Sequence, residues 1–162
     1  MTWLQRYYKF INKQPPSFAR YPIWLLILKP FRKFLNVVII PNIPFNFLRI
    51  WLYRLVGYKI GKNVFIGMKC YLDDLNPPKL AIQSNVTISY GCYFSLHGKR
   101  QTHQNITIEE GVYIGMRCNF VATKNPIIIG KNAVVGAGSL VKESIPEGKV
   151  AVGVPAKVIG EA

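Results

Sequence analysis

The chain has two histidines, His97 and His103, and both lie in one stretch, Ser95-Leu-His-Gly-Lys-Arg-Gln-Thr-His103. Imidazole exchanges a proton near neutral pH, which suits it to act as a general base. Two histidines fall short of the three that a closed catalytic zinc site of this type needs, so no metal is expected. Upstream stand adjacent carboxylates, Asp73 and Asp74, in Asp-Asp-Leu-Asn-Pro-Pro. A carboxylate often orients a catalytic base. The same six residues also read as an ordinary polar turn. The three cysteines are an odd number without CxxC spacing, which points to buried thiols in a reducing compartment.

What positions these groups is a six-residue repeat. Ile60-Gly-Lys-Asn-Val-Phe leads into Ile66-Gly-Met-Lys-Cys-Tyr and then Leu72. The pattern returns from Ile82, from Ile108 and from Ile129. A large aliphatic or Phe begins each hexad, and a small residue follows four positions later. A short fixed period means stacked coils that bury one another's edges. Three flat faces make one triangular turn, with Gly and Asn supplying the sharp corners. Cys70, Cys92 and Cys118 then form an inward column on the second face. The coils start at 60, 82, 108 and 129, spacings of 22, 26 and 21. The excess over three hexads falls on the third face, and the largest excess contains both histidines. An insertion into a regular coil tends to mark function.

Residues 1–59 are different. They hold ten basic residues and no Asp or Glu, with all three tryptophans. Prolines chop the segment, and helical pieces are expected near 2–12, 23–35 and 45–56. No secretory signal is legible in the first twenty residues. The apolar run Ile23–Leu28 is far below the roughly 18 to 20 residues of a spanning helix. Two readings stand: a helical cap on the open end of the coils, and an interfacial anchor on an anionic membrane surface. The expected division is therefore 1–59, a basic and apolar helical segment, and 60–162, the coiled domain.

The whole chain has 162 residues, 50% hydrophobic and 17% charged, with a formal charge of +14. That composition excludes a disordered chain. The basic balance predicts an anionic partner. Nucleic acid fits poorly, because the cations are interleaved with aliphatics and no binding motif is present.

Residues 60–159 resemble the left-handed parallel β-helix acyltransferases of the hexapeptide-repeat superfamily. The likeness is carried by the repeat, by Gly136-Ala-Gly-Ser-Leu-Val141 and by Val152-Gly-Val-Pro-Ala-Lys-Val-Ile159. Arg54-Leu-Val-Gly-Tyr-Lys-Ile-Gly-Lys-Asn63 is similar to the short sugar O-acetyltransferases of polysaccharide, capsule and lipopolysaccharide synthesis. The last two coils also resemble galactoside and serine acetyltransferases. The resemblance implies a mainly β fold, a left-handed β-helix of about five coils behind the helical N-terminal segment.

It implies chemistry as well. Acetyl-CoA is the expected co-substrate, and a sugar hydroxyl, including one on a lipid-linked precursor, the expected acceptor. His97 falls where the family places its base. His103 matches a second histidine of serine acetyltransferases, a substrate-binding or alternative catalytic residue. Asp74, or its neighbour Asp73, is the candidate to orient the base. Met116 and Ala137 match contacts to the coenzyme arm, Lys142 a further arm contact, and Lys157 a cation for the nucleotide phosphates. Glu143 and Gly160 stand where the family usually has basic residues, so Lys131 or Lys149 are the alternatives for phosphate. Family members are homotrimers with sites between subunits. The expected location is cytoplasmic, peripheral at the inner face of the cell membrane. Rival readings are an N-acetyltransferase of a nucleotide-linked amino sugar, a serine acetyltransferase-like enzyme, and a non-enzymatic membrane-bound scaffold.

Overall fold

The computed structural model describes residues 3–12, 14, 30–97 and 103–162. Two compact units are present, Met1–Leu35 and Asn36–Ala162. In the first, α1 spans Trp3–Phe10, and residues 30–34 are helical. The rest of the helix expected near 23–35 lies outside the described residues, as does 98–102 of the histidine stretch.

The second unit is a solenoid preceded by short helical turns. A wide turn ends at Ile39, Ile40–Asn42 forms a 3-10 turn, and α2 spans Asn46–Val56. Three parallel sheets follow. The first holds β1 (Lys59–Ile60), β4 (Leu80–Ile82), β7 (Ile106–Ile108) and β10 (Ile127–Ile129). The second holds β2 (Phe65–Ile66), β5 (Thr87–Ile88), β8 (Tyr113–Ile114), β11 (Val134–Val135), β13 (Lys149–Gly153) and β14 (Ala156–Glu161). The third holds β3 (Tyr71–Leu72), β6 (Tyr93–Ser95), β9 (Asn119–Val121) and β12 (Leu140–Val141). This is a left-handed parallel β-helix. It has four complete coils, against the expected five or so. A fifth begins with the Ile129–Ile145 bridge and β13, then turns back in the antiparallel β13–β14 pair.

Register keeps one hexad position above another. Ile60, Ile82, Ile108 and Ile129 line the first sheet, and Leu72, Phe94, Phe120 and Val141 the third. The rings of Phe94 and Phe120 stack with centroids 4.6 Å apart. The thiols form the expected column. Cys70, Cys92 and Cys118 donate to the carbonyls of Ser89, Gly115 and Gly136 in the next coil, at 3.2, 3.2 and 3.1 Å. The first corner uses Asn63, Asn85, Gly111 and Asn132 at positive φ, and the second Lys69, Gly91, Arg117 and Gly138.

The end before the first coil explains why the compact unit starts at Asn36 rather than near residue 60. A bare strand edge exposes unpaired backbone groups, which proteins cover. Here side chains cover it. Asn46 accepts from the Ile66 N–H at 3.1 Å and donates to the Val64 carbonyl at 2.9 Å, standing in for a strand. Arg49 is buried and donates twice to the Ile66 carbonyl, at 3.0 and 2.6 Å. Asn36 and Tyr58 donate to the Leu72 carbonyl at 2.5 and 2.9 Å. Burial pushes the Tyr53 and Tyr58 phenols well up, so both stay neutral donors. Residues 36–58 are thus a cap.

Candidate active site

The third corner of each coil is the irregular one. Between β3 and β4 lie residues 73–79, and between β6 and β7 lie residues 96–105. After the inward Leu72, Asp73 turns its carboxylate into the protein and is fully buried. Its Oδ1 accepts from the Leu75 N–H at 3.0 Å, a local turn made by the side chain. That leaves Oδ2 facing the next coil. It accepts from the Leu96 N–H at 2.8 Å and meets His97 Nδ1 at 2.6 Å. The His97 ring is 36% exposed, so a buried carboxylate holds a reachable imidazole. An ionised carboxylate only accepts hydrogen bonds, so Nδ1 is the donor to it, which leaves Nε2 as the ring nitrogen able to take up a proton when the imidazole is neutral.

Asp74 does not take the orienting position expected of it. Its Oδ1 accepts from the Tyr71 hydroxyl at 3.0 Å, and Asp73 is the carboxylate on the histidine. The reason is local: the Asp73–Leu75 turn commits Asp73 inward and sends the next residue to the side of Tyr71. The Asx turn is the signal for this assignment in Asp-Asp-Leu-Asn-Pro-Pro. Tyr71 and Tyr93 stack outside the third sheet with centroids 4.4 Å apart, a pair the hexad pattern does not single out. Burial and then Asp74 raise the Tyr71 phenol, and burial and then Asp73 raise that of Tyr93.

The histidine stretch closes on itself. His97 and His103 form an antiparallel bridge, their ring centroids 6.5 Å apart, and Gln104 N–H donates to the Leu96 carbonyl at 2.8 Å. Lys79 donates to the His103 carbonyl at 2.6 Å. His103 Nδ1 is buried without a hydrogen-bond partner among the described residues.

The residues expected to hold the coenzyme are elsewhere. Met116 and Ala137 are exposed at the second corner, where Gly138 N–H donates to the Met116 carbonyl at 2.8 Å. One strand of the third sheet separates that corner from the histidine corner, about 16 Å at 3.3 Å per residue. Lys142 is exposed at the third corner, directly after β12. Lys157 is exposed on β14, opposite Val152. One chain therefore leaves Met116, Ala137 and Lys157 away from the histidine corner, while Lys142 stands at that corner two coils beyond His97, about 10 Å at the strand spacing. Among the described residues no cluster of three His, Cys, Asp or Glu side chains is arranged to hold a metal ion.

A family model for the hexapeptide repeat of succinyl-transferase matches residues 105–143. The chain is a hexapeptide-repeat protein with the fold of the β-helix acetyltransferases. This hexapeptide-repeat chain is 34% identical over 112 residues to the bifunctional protein GlmU of Rubrobacter xylanophilus, covering 65% of this chain and 23% of that one. It is 33% identical over 125 residues to the galactoside O-acetyltransferase of Escherichia coli K12, covering 68% of this chain and 60% of that one. The chain spans less than two thirds of either relative's length. A hexapeptide-repeat-containing acetyltransferase of Vibrio cholerae O1 biovar eltor, solved with acetyl coenzyme A, shares the fold. Its TM-score is 0.66 over 97% of both chains, at 20% identity.

Proposed function

We propose that the protein is an acetyl-CoA-dependent O-acetyltransferase acting on a sugar hydroxyl of a cell-envelope polysaccharide or its precursor. The observation that carries this reading is the 2.6 Å contact of buried Asp73 with half-exposed His97. His97 Nε2 takes the proton of the acceptor hydroxyl as its oxygen attacks the thioester carbonyl. A carbon–oxygen bond forms, the carbon–sulfur bond breaks, and His97 returns the proton to the departing thiolate. Asp73 keeps the imidazole in the required tautomer and stabilises its cation. His103, whose ring lies 6.5 Å from that of His97 and whose Nδ1 has no hydrogen-bond partner among the described residues, is the proposed binding group for the acceptor.

The similarity to a galactoside O-acetyltransferase supports a sugar acceptor. Met116, Ala137, Lys142 and Lys157 are the residues proposed to hold the coenzyme, through exposed backbone at a corner and two exposed cations. The separation of Met116, Ala137 and Lys157 from His97 within one chain favours a homotrimer, in which one copy's second corner meets another's histidine. The acid-free N-terminal segment favours work at the inner face of the membrane, on a lipid-linked acceptor.

Thermal unfolding with and without acetyl-CoA tests the reading, on the wild type and on His97→Ala. A ligand at about 100 times its dissociation constant adds roughly 2.7 kcal/mol. Both proteins are expected to shift upward, while only the wild type releases thiol in the presence of an acceptor sugar. No shift in either protein at millimolar coenzyme overturns it.

A further inference from the structure

Helix α2 has two unlike faces. Arg49, Ile50 and Tyr53 are buried against the first coil. On the opposite side Phe47, Trp51 and Leu55 are exposed at 73%, 54% and 65%. Their spacing of four residues makes one continuous stripe about 80° wide at 100° per residue. Phe45, just before the helix, is 60% exposed, and Arg54 flanks the stripe. Single exposed apolar residues need no explanation, but an ordered aromatic stripe does.

The charges say what covers it. From residue 1 to residue 72 the chain has twelve Lys or Arg and no Asp or Glu. The acids of the protein all lie from Asp73 onward. Arg54, Lys59, Lys62 and Lys69, on the cap and first coil, are exposed. A second copy of this end would bring cation against cation. An anionic bilayer offers the opposite charge together with an apolar layer that accepts Phe, Trp and Leu. Among the described residues no helix is long and apolar enough to cross a membrane.

We infer that the Phe47–Trp51–Leu55 face of α2 lies in the headgroup boundary of an anionic bilayer and stands the solenoid on the membrane by its capped end. The inference rests on the membrane-facing part of the proposed function and names the surface that performs it. It also sets a height. Asp73 closes the first coil and His97 the second, one strand spacing further. A helix diameter plus one coil puts the pair about 15 Å above the surface. That height serves the first sugars of a glycan carried on a membrane lipid.

The test is sedimentation of the full-length protein with vesicles of phosphatidylcholine alone or with about one third phosphatidylglycerol. Wild type is expected to bind the anionic vesicles and to release in high salt. The variant F47S/W51S/L55S is expected to bind at least about tenfold more weakly, with an unchanged acetyl-CoA-induced thermal shift. Substituting V158S and I159S, exposed at the other end of the solenoid, is expected to leave binding intact. Wild-type-like binding by the stripe variant overturns the inference, because residues before Asn36 then suffice. A lower oligomeric state of that variant, without vesicles, overturns it in favour of an interface between copies. If the triple variant does not fold, W3F/W24F leaves Trp51 as the sole indole. Quenching of its fluorescence by brominated lipid supports docking, and none overturns it. Neither readout uses catalysis, so failure here and failure to bind coenzyme are separate results.

Discussion

The first two corners of every coil and the third corner obey different rules. At the first two, the backbone turns in the same left-handed conformation from coil to coil, on Asn63, Asn85, Gly111 and Asn132 and on Lys69, Gly91, Arg117 and Gly138. Each such corner stacks directly on the next. A change in length there would break the register of every coil above it. At the third corner the connections differ in length, and nothing need stack. Regularity holds the first two corners, and freedom from it lets the third carry Asp73, His97 and Lys142. The proposed chemistry falls where the repeat is interrupted, because only there can a side chain depart from its column without dismantling a sheet.

The sharpest way to break this contrast is at Asp73. Asp73→Asn replaces one acceptor oxygen with a donor, so either His97 or a backbone N–H loses its partner. Transfer to a sugar acceptor, read as thiol release, is expected to fall by about 10²- to 10⁴-fold. Asp74→Asn is expected to stay within a few-fold of wild type, since the carboxylate on His97 Nδ1 is that of Asp73. Equal losses in the two variants would mean that the corner acts through its fold and not through the Asp73–His97 pair.

The counterpart at a regular corner is Gly115. A Cβ there would stand 2.6 Å from the backbone nitrogen of Ala137 in the next coil. Gly115→Val is expected to cost about 3 kcal/mol, at the upper end of overpacking effects, in urea unfolding. Two glycines inserted after Thr123, in the third-corner connection, are expected to cost under about 1 kcal/mol, because loop closure depends weakly on length. If both changes cost the same, the corners do not differ as their backbones indicate.

Much of this was legible because packing imposes periods. The aliphatic columns, the cysteine column and the displaced histidines all follow from counting in sixes. Two things were not. Asp73 and Asp74 are neighbours, and which one turns inward is decided by a hydrogen bond to Leu75, a choice a period cannot encode. A cap could be expected from the sequence, but the way it works was hidden. Arg49 reads as one more cation of a membrane-seeking segment, yet it is buried and bonded to strand carbonyls. Side chains that imitate a strand have no repeat of their own, so the hexads alone do not show that the compact unit begins at Asn36. Arg49→Met tests this. It keeps the packing volume of the stem but leaves the Ile66 carbonyl without its donor, and is expected to cost about 2 kcal/mol. A neutral result would show that water satisfies that edge and that the cap acts by apolar contact alone.

The smallest effect probes whether the left-handed corners are imposed by the fold rather than chosen by their residues. Arg117 holds φ 55, at the position where Gly91 and Gly138 stand in neighbouring coils. Its N–H donates to the Tyr90 carbonyl at 2.9 Å, a bond that glycine would keep. A non-glycine residue pays about 1–2 kcal/mol in that conformation, and glycine gives back about 0.5–1 kcal/mol in the entropy of the unfolded chain. Arg117→Gly is therefore expected to stabilise the protein by about 0.5 kcal/mol, seen as a higher urea midpoint at unchanged slope. The arginine side chain also lies over Gly91, where a Cβ would come within 3.5 Å of its Cγ. Should the variant be less stable than wild type, that cover outweighs the backbone cost. The second corner would then owe its regularity to side chains spanning adjacent coils, as well as to the turn.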